Sequence, residues 1–193
     1  MAEPYVPTVR VGPRSFRDKI SALYTLGPTG TNCERAAREW FAREGRRGEI
    51  CLHPTLETAV EMMQANPSAA LLACVVYPDL HALVFSNLHR LELVDCFIMP
   101  TYNMVLAARS DVEVIKSVAT HPAPAGLVPD AVPERRFVNS NTQAAIDCAS
   151  GLTDACITTI VTVGRHGLRI VQDFGPVPMG FTVHAQIKRH SWN

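Results

Sequence analysis

Thr25-Leu-Gly-Pro-Thr-Gly-Thr-Asn-Cys-Glu-Arg-Ala-Ala37 is the stretch on which the reading of the fold turns. An apolar lead-in (Ile20, Ala22, Leu23, Tyr24) precedes it, so the pattern is strand, tight glycine turn, then helix. Thr31 stands where a helix cap is needed, and Glu34 three residues on gives the capping-box spacing. Gly27 and Gly30 permit positive φ and let a ligand come close to the backbone. The N–H groups of the first helical turn then favour an anion, because amide donors and the helix dipole both select negative charge. An ordinary strand-to-helix turn would use the same residues. The stretch is neither a GxGxxG nor a phosphate loop, since no lysine follows the second glycine.

The rest of the composition narrows the class. A chain of 193 residues has room for one domain or two small lobes with a true core. Its net charge is zero, and no basic run interleaves with aromatics, which argues against nucleic acid or an anionic membrane as partner. The apolar run Ala69–Val76 is too short to span a bilayer, and Tyr77-Pro-Asp79 ends it. Residues 1–18, with Pro4, Pro7 and Pro13, lack the apolar centre of a signal peptide and read as a flexible lead before a single domain over 19–193. A cytoplasmic location is the expectation. The six cysteines form no CxxC and read as free thiols, and the seven histidines show no metal spacing, so no metal site is expected.

Along the chain, helical spacing and Gly45 predict a helix over Thr31–Glu44. A strand follows at Ile50–His53, then a helix from Thr55 to Asn66-Pro67 and a buried strand at Ala69–Val76. Tyr77–Asn87 reads as a loop holding Asp79, His81 and Asn87, where an α/β sheet places ligand-facing groups. Strands are expected at Leu91–Met99, Met104–Ala108, Lys116–Thr120, Arg136–Val138, Asp154–Ile157, Leu168–Asp173 and Phe181–Ile187. Asn139-Ser-Asn-Thr-Gln-Ala-Ala145 is a second strand–cap–helix junction, and Thr158–His166 reads as a helix with Gly167 as its C-cap. Alternation of strand and helix gives an α/β class. Two capped junctions far apart in the chain point to two lobes with a central cleft, suited to a small molecule with two anionic groups.

The opening stretch resembles the LGPxGT turn of the prephenate dehydratase family. In register with it, Ala119-Thr-His-Pro-Ala-Pro124 resembles that family's Ser-His-Pro segment, Asn139–Ala145 its helix start, and Thr158–Leu168 its helix ending in a Tyr-Gly-Leu-like turn. The likeness spans about Leu23 to Ile187. It implies a two-lobed, periplasmic-binding-protein-like (type 2) fold, the catalytic domain without a C-terminal regulatory domain, and a homodimer.

Two departures from the dehydratases matter. Their Thr-Arg-Phe motif, whose threonine helps expel the ring hydroxyl and whose arginine holds a carboxylate, is here Phe181-Thr-Val-His184, with Val183 in place of the arginine. Their Pro-Ile-Glu-Asn-Ser-like run is here Val76-Tyr-Pro-Asp-Leu-His81. Thr25–Pro28, Tyr77, His121–Pro124, Val138–Ser140 and Pro178-Met179 are instead similar to the prephenate decarboxylases of bacilysin-type antibiotic pathways.

That resemblance implies a cofactor-independent lyase acting on the dicarboxylate prephenate and leaving the ring non-aromatic. A dehydratase with an altered motif and a non-catalytic carboxylate-binding protein stay open beside it. The candidate substrate anchors are Thr29, Gly30, Thr31, Ser140, Asn141 and Thr142, with Arg109 as a carboxylate clamp. The candidate proton-handling residues are Asp79, His81, His121, Thr182 and His184. Thr182 and His184 share a face by the two-residue strand period.

Overall fold

Helix α1 (Arg14–Arg17) leads into β1 (Ala22–Leu26), a strand buried at every position except half-exposed Tyr24. The computed structural model describes residues 14–187, so the expected lead lies outside it as far as residue 13, and residues 14–17 are helical. The chain divides into two units. The first takes the residues up to Gly27, Cys33–Met99 and those from Pro178 onward; the second takes Pro28–Asn32 and Pro100–Val177.

In the first unit β1 pairs in parallel with β2 (Glu49–His53) through α2 (Asn32–Arg43). It pairs in parallel with β3 (Ala69–Cys74) on its other side, and α3 (Leu56–Met62) joins β2 to β3. Parallel neighbours need such crossovers, and the helices bury the sheet. α2 turns Ala36, Ala37, Trp40 and Phe41 into the core at helical spacing. The Trp40 indole donates to Asp95 Oδ2 at 2.9 Å, which satisfies both buried groups. Thr55 caps α3, its Oγ1 accepting from the Thr58 N–H at 3.1 Å. α4 (Leu80–Ser86), β4 (Leu91–Pro100) and the last strand, β10 (Pro178–Gln186), complete this unit. The sheet order is β2-β1-β3-β10-β4, with β10 antiparallel to β3.

Two sequence expectations are corrected here. The strand expected to reach Val76 stops at Cys74, and Val75 and Val76 turn toward solvent. The loop expected over Tyr77–Asn87 holds the helix α4. Pro78 and Asp79 read as breakers, yet they form the turn that starts the helix, with Asp79 in the left-handed region at φ 58°. Leu80 and Leu83, three residues apart, pack on the core, although no α4 side chain is fully buried. A single apolar edge is enough to hold so short a helix on a sheet.

The second unit contains β5 (Met104–Ala108), β6 (Ser117–Thr120), β7 (Glu134–Phe137), α5 (Asn141–Ala149), β8 (Ala155–Thr159), α6 (Ile160–His166) and β9 (Arg169–Gly175). Its sheet runs β7-β6-β8-β5-β9. β6 is parallel to β7 and β8, and β5 is antiparallel to β8 and β9. Val105, Ala107, Ala119 and Cys156 face one buried cluster with α5 residues, while Leu106, Val118 and Ile157 face another, so both sheet faces are covered. Thr158 and Thr159, expected in the last helix, end β8 instead, as their β-branching favours. Gly167 (φ 63°) then closes α6 as the spacing predicts. All six cysteines are free thiols. Among the described residues no helix is long and apolar enough to cross a membrane.

Candidate active site

Strand alternation along β10 sends Phe181, Val183 and Ala185 into the core of the first unit, and Thr182 and His184 to the opposite face. There they border a cavity of about 340 Å³, whose polar lining is Tyr77, His81, Thr182 and His184. Its apolar wall is Val75, Leu93 and the α4 residues Leu80, Val84 and Phe85. Leu80, His81, Val84 and Phe85 lie one turn apart in pairs, so one face of α4 closes the space. His184 Nε2 stands 3.0 Å from Thr182 Oγ1, and that hydroxyl reaches the Ala73 carbonyl at 3.5 Å. Burial pushes the His184 imidazole down to about 4, because a charged ring would lose its water. At neutral pH the pair is therefore an uncharged imidazole against a hydroxyl.

Tyr77, the residue after the β3 turn, was not among the expected site residues. Its hydroxyl donates to Glu57 Oε2 at 2.6 Å and accepts from the Leu56 N–H at 3.3 Å. Burial and the Glu57 carboxylate together push this phenol up to about 12. The sequence signal was present, a tyrosine just after an apolar strand, but its partner Glu57 lies on α3, far back in the chain. Asp79 is placed differently from the expectation. It is exposed, holds the cap position of α4 without a side-chain bond, and does not line the cavity.

The remaining expected residues belong to the second unit. His121 follows β6 and is buried; its Nδ1 accepts from the Ala123 N–H at 3.2 Å, which leaves the proton on Nε2. Burial lowers its pKa. Ser140 caps α5, its Oγ accepting from the Gln143 N–H at 3.0 Å. Thr142 is buried in the first turn of the same helix. Among the described residues, Asn141 Oδ1 is shut off from solvent without a hydrogen-bond partner, and Nδ2 meets the Met104 thioether at 3.7 Å. Most buried amide oxygens in folded proteins are hydrogen-bonded, so this one stands out at the start of α5. Thr29 is exposed and Thr31 buried on either side of Gly30 (φ 93°). Gly27 lacks the expected positive φ; a Cβ there would meet the Leu52 Cβ at 3.1 Å, so close strand packing explains this glycine.

Arg109 is not a free clamp. Its Nη1 donates to the Cys148 and Thr153 carbonyls at 3.0 and 2.6 Å, and its Nε to Asp111 at 3.2 Å. It ties down the C-terminal end of α5, where a cation complements the helix dipole, at the other end of that helix from Ser140.

No family model matches the chain. Prephenate decarboxylase from Planktothrix agardhii (strain NIVA-CYA 126/8) is 31% identical over 180 residues, covering 86% of this chain and 88% of the relative. The chain belongs to the prephenate decarboxylase family. A second member, prephenate decarboxylase from Bacillus subtilis (strain 168), is 26% identical over 177 residues, 86% of each chain. Among solved structures, the prephenate dehydratase of Arthrobacter aurescens in complex with L-Phe superposes with a TM-score of 0.67 at 19% identity. The match covers 86% of this chain but only 60% of the dehydratase. The periplasmic VFT2 domain of Bordetella pertussis BvgS gives a TM-score of 0.56 at 13% identity, covering 92% and 87%. This prephenate decarboxylase family chain therefore has the two-lobed α/β, type 2 periplasmic-binding-protein-like fold that the family resemblance implied.

Proposed function

We propose that this protein decarboxylates prephenate to a dihydro-4-hydroxyphenylpyruvate, leaving the ring non-aromatic, as a step in natural-product (antibiotic) biosynthesis. The observation that carries the reading is the uncharged Thr182–His184 pair bordering a cavity of small-molecule size in a chain of this family.

Loss of carbon dioxide releases the electron pair of the bond between the quaternary ring carbon and its carboxylate. That pair forms a new ring double bond, the neighbouring double bond shifts, and a ring carbon takes up one proton. The diene is the electron sink, so the step draws on no cofactor. Aromatisation would need an acid at the ring hydroxyl to send it away as water. Thr182 is too weak an acid for that, and His184, held down to about 4, is uncharged at neutral pH. A hydroxyl resting against this pair is hydrogen-bonded but not protonated, and it stays on the ring.

The proton for ring carbon comes from His81. Tyr77 is engaged by Glu57 and pushed up to about 12, whereas the His81 imidazole lines the same cavity and is exposed to solvent for reloading. The carboxylate-holding groups are the Thr29–Thr31 turn and Ser140, Asn141 and Thr142. Ser140 uses its oxygen as a cap acceptor and keeps its hydroxyl proton to donate. His121 and Asp79 take no proton in this scheme. A cytoplasmic homodimer belongs to the same reading.

The test is an assay of purified protein with prephenate. Consumption of prephenate with release of carbon dioxide and no growth of phenylpyruvate absorbance is the expected result. Phenylpyruvate formation identifies a dehydratase and overturns the reading, as does saturable binding without turnover.

A further inference from the structure

Of the polar side chains that line the first-unit cavity, the proposed reaction uses Thr182, His184 and His81 and leaves Tyr77 without a task. Yet a phenol is a stronger acid than the alcohol of Thr182, and an acid beside the ring hydroxyl is what aromatisation requires. In this structure the phenolic proton is already held elsewhere. Tyr77 donates it to Glu57 Oε2 at 2.6 Å, while the phenol oxygen accepts the Leu56 N–H at 3.3 Å. A bond from a hydroxyl to a carboxylate is of the short, charge-assisted kind. Leu56 and Glu57 are adjacent residues at the start of α3, so one piece of backbone fixes both partners of the phenol. Burial and the carboxylate raise the phenol to about 12, which makes it a weaker acid than a tyrosine in water. Glu57 itself is exposed and stands outside the cavity lining. All of these residues belong to the first unit.

We infer that Glu57 holds the Tyr77 proton away from the ring hydroxyl and is thereby a positioning residue for the non-aromatic outcome. This rests on the proposal that the protein decarboxylates prephenate. Without the carboxylate, the phenolic proton is free to turn to the ring hydroxyl. The electron pair left by carbon dioxide then forms a ring double bond, and the neighbouring double bond shifts. The bond from ring carbon to the hydroxyl breaks with its electrons on oxygen. That oxygen leaves with the Tyr77 proton as water, phenylpyruvate forms, and the phenolate takes a proton back from solvent. With the carboxylate in place the carbon–oxygen bond survives, and a ring carbon takes up the proton instead.

The experiment measures carbon dioxide release and phenylpyruvate absorbance from prephenate for the wild type, E57A, E57Q and the double variant E57A/Y77F. Thermal melting verifies that the variants fold, as an exposed glutamate allows. A positioned general acid contributes roughly 100-fold or more, so E57A is expected to form phenylpyruvate at least about 10-fold faster than the wild type. E57Q keeps an acceptor for the phenol and is expected to stay near the wild-type product ratio. The double variant lacks the phenolic proton and is expected to return to that ratio. A loss of packing lowers both products together, so the ratio reports the proton and not the fold. An E57A ratio equal to the wild type overturns the role of Glu57 and leaves the decarboxylase reading standing. Phenylpyruvate that persists in the double variant overturns it too, since Tyr77 would not be the donor. A wild type that forms phenylpyruvate, or leaves prephenate intact, overturns the decarboxylase reading and this inference together.

Discussion

His184 Nε2 and Thr182 Oγ1 lie 3.0 Å apart on one face of β10, and burial keeps the imidazole uncharged until about pH 4. On the proposed reaction, the pair gives a physical reason for the ring to stay non-aromatic. A hydroxyl is expelled when something protonates it, and the group nearest Thr182 is a histidine that refuses a proton at neutral pH.

Thr182→Val keeps the shape of the side chain and removes its hydroxyl. The expected outcome is a fall in kcat/KM of about 10- to 100-fold for prephenate, consistent with one lost hydrogen bond in a desolvated site. Thr182→Ser should recover most of it. Wild-type kinetics in the valine variant would mean that the cavity bordered by Thr182 is not where the ring sits.

Stability should fall in mild acid. The unfolded chain takes up a proton on His184 near pH 6.5, whereas the folded chain resists until about 4. Between those values the unfolded state binds more protons, so folding stability drops as pH falls, by about 3 kcal/mol over the whole window. The lowered pKa of His121 acts in the same direction. Urea denaturation at a series of pH values checks this; His184→Gln should flatten the slope, and an unchanged slope would refute the assignment.

Restoring the dehydratase arginine should not restore dehydratase chemistry. Val183 is fully buried between Phe181 and Ala185 on the core side of β10, opposite Leu72 on β3. V183R drives a guanidinium into that core without a partner, and a loss of about 3 kcal/mol or more is expected in chemical denaturation. A stable V183R protein that forms phenylpyruvate would contradict this placement.

Arg109→Ala separates a structural arginine from a ligand clamp. Its bonds to the Cys148 and Thr153 carbonyls should make the variant less stable by about 1–3 kcal/mol, with KM for prephenate unchanged. A large rise in KM at full stability would return Arg109 to the binding site.

The sequence by itself determined what depends on near neighbours. The strand–turn–helix at Thr25–Ala37, the helix start at Thr55, the capped junction at Asn139–Ala145, the stop at Gly167 and the shared face of Thr182 and His184 all follow from spacing and local hydrogen bonding. Together with the family resemblance these were enough for the fold class. What only the tertiary structure decided are the relations between residues distant in the chain. α4 is a helix because the core of the first unit takes up Leu80 and Leu83, which outweighs the breakers before it. Tyr77 finds Glu57, Arg109 is consumed by two carbonyls, and Arg165 lies on Gly30, none of which any local pattern records. Local rules place a side chain on a face of its own element; long-range packing decides what that face meets, and hence whether a charge is buried, paired or left available for a ligand.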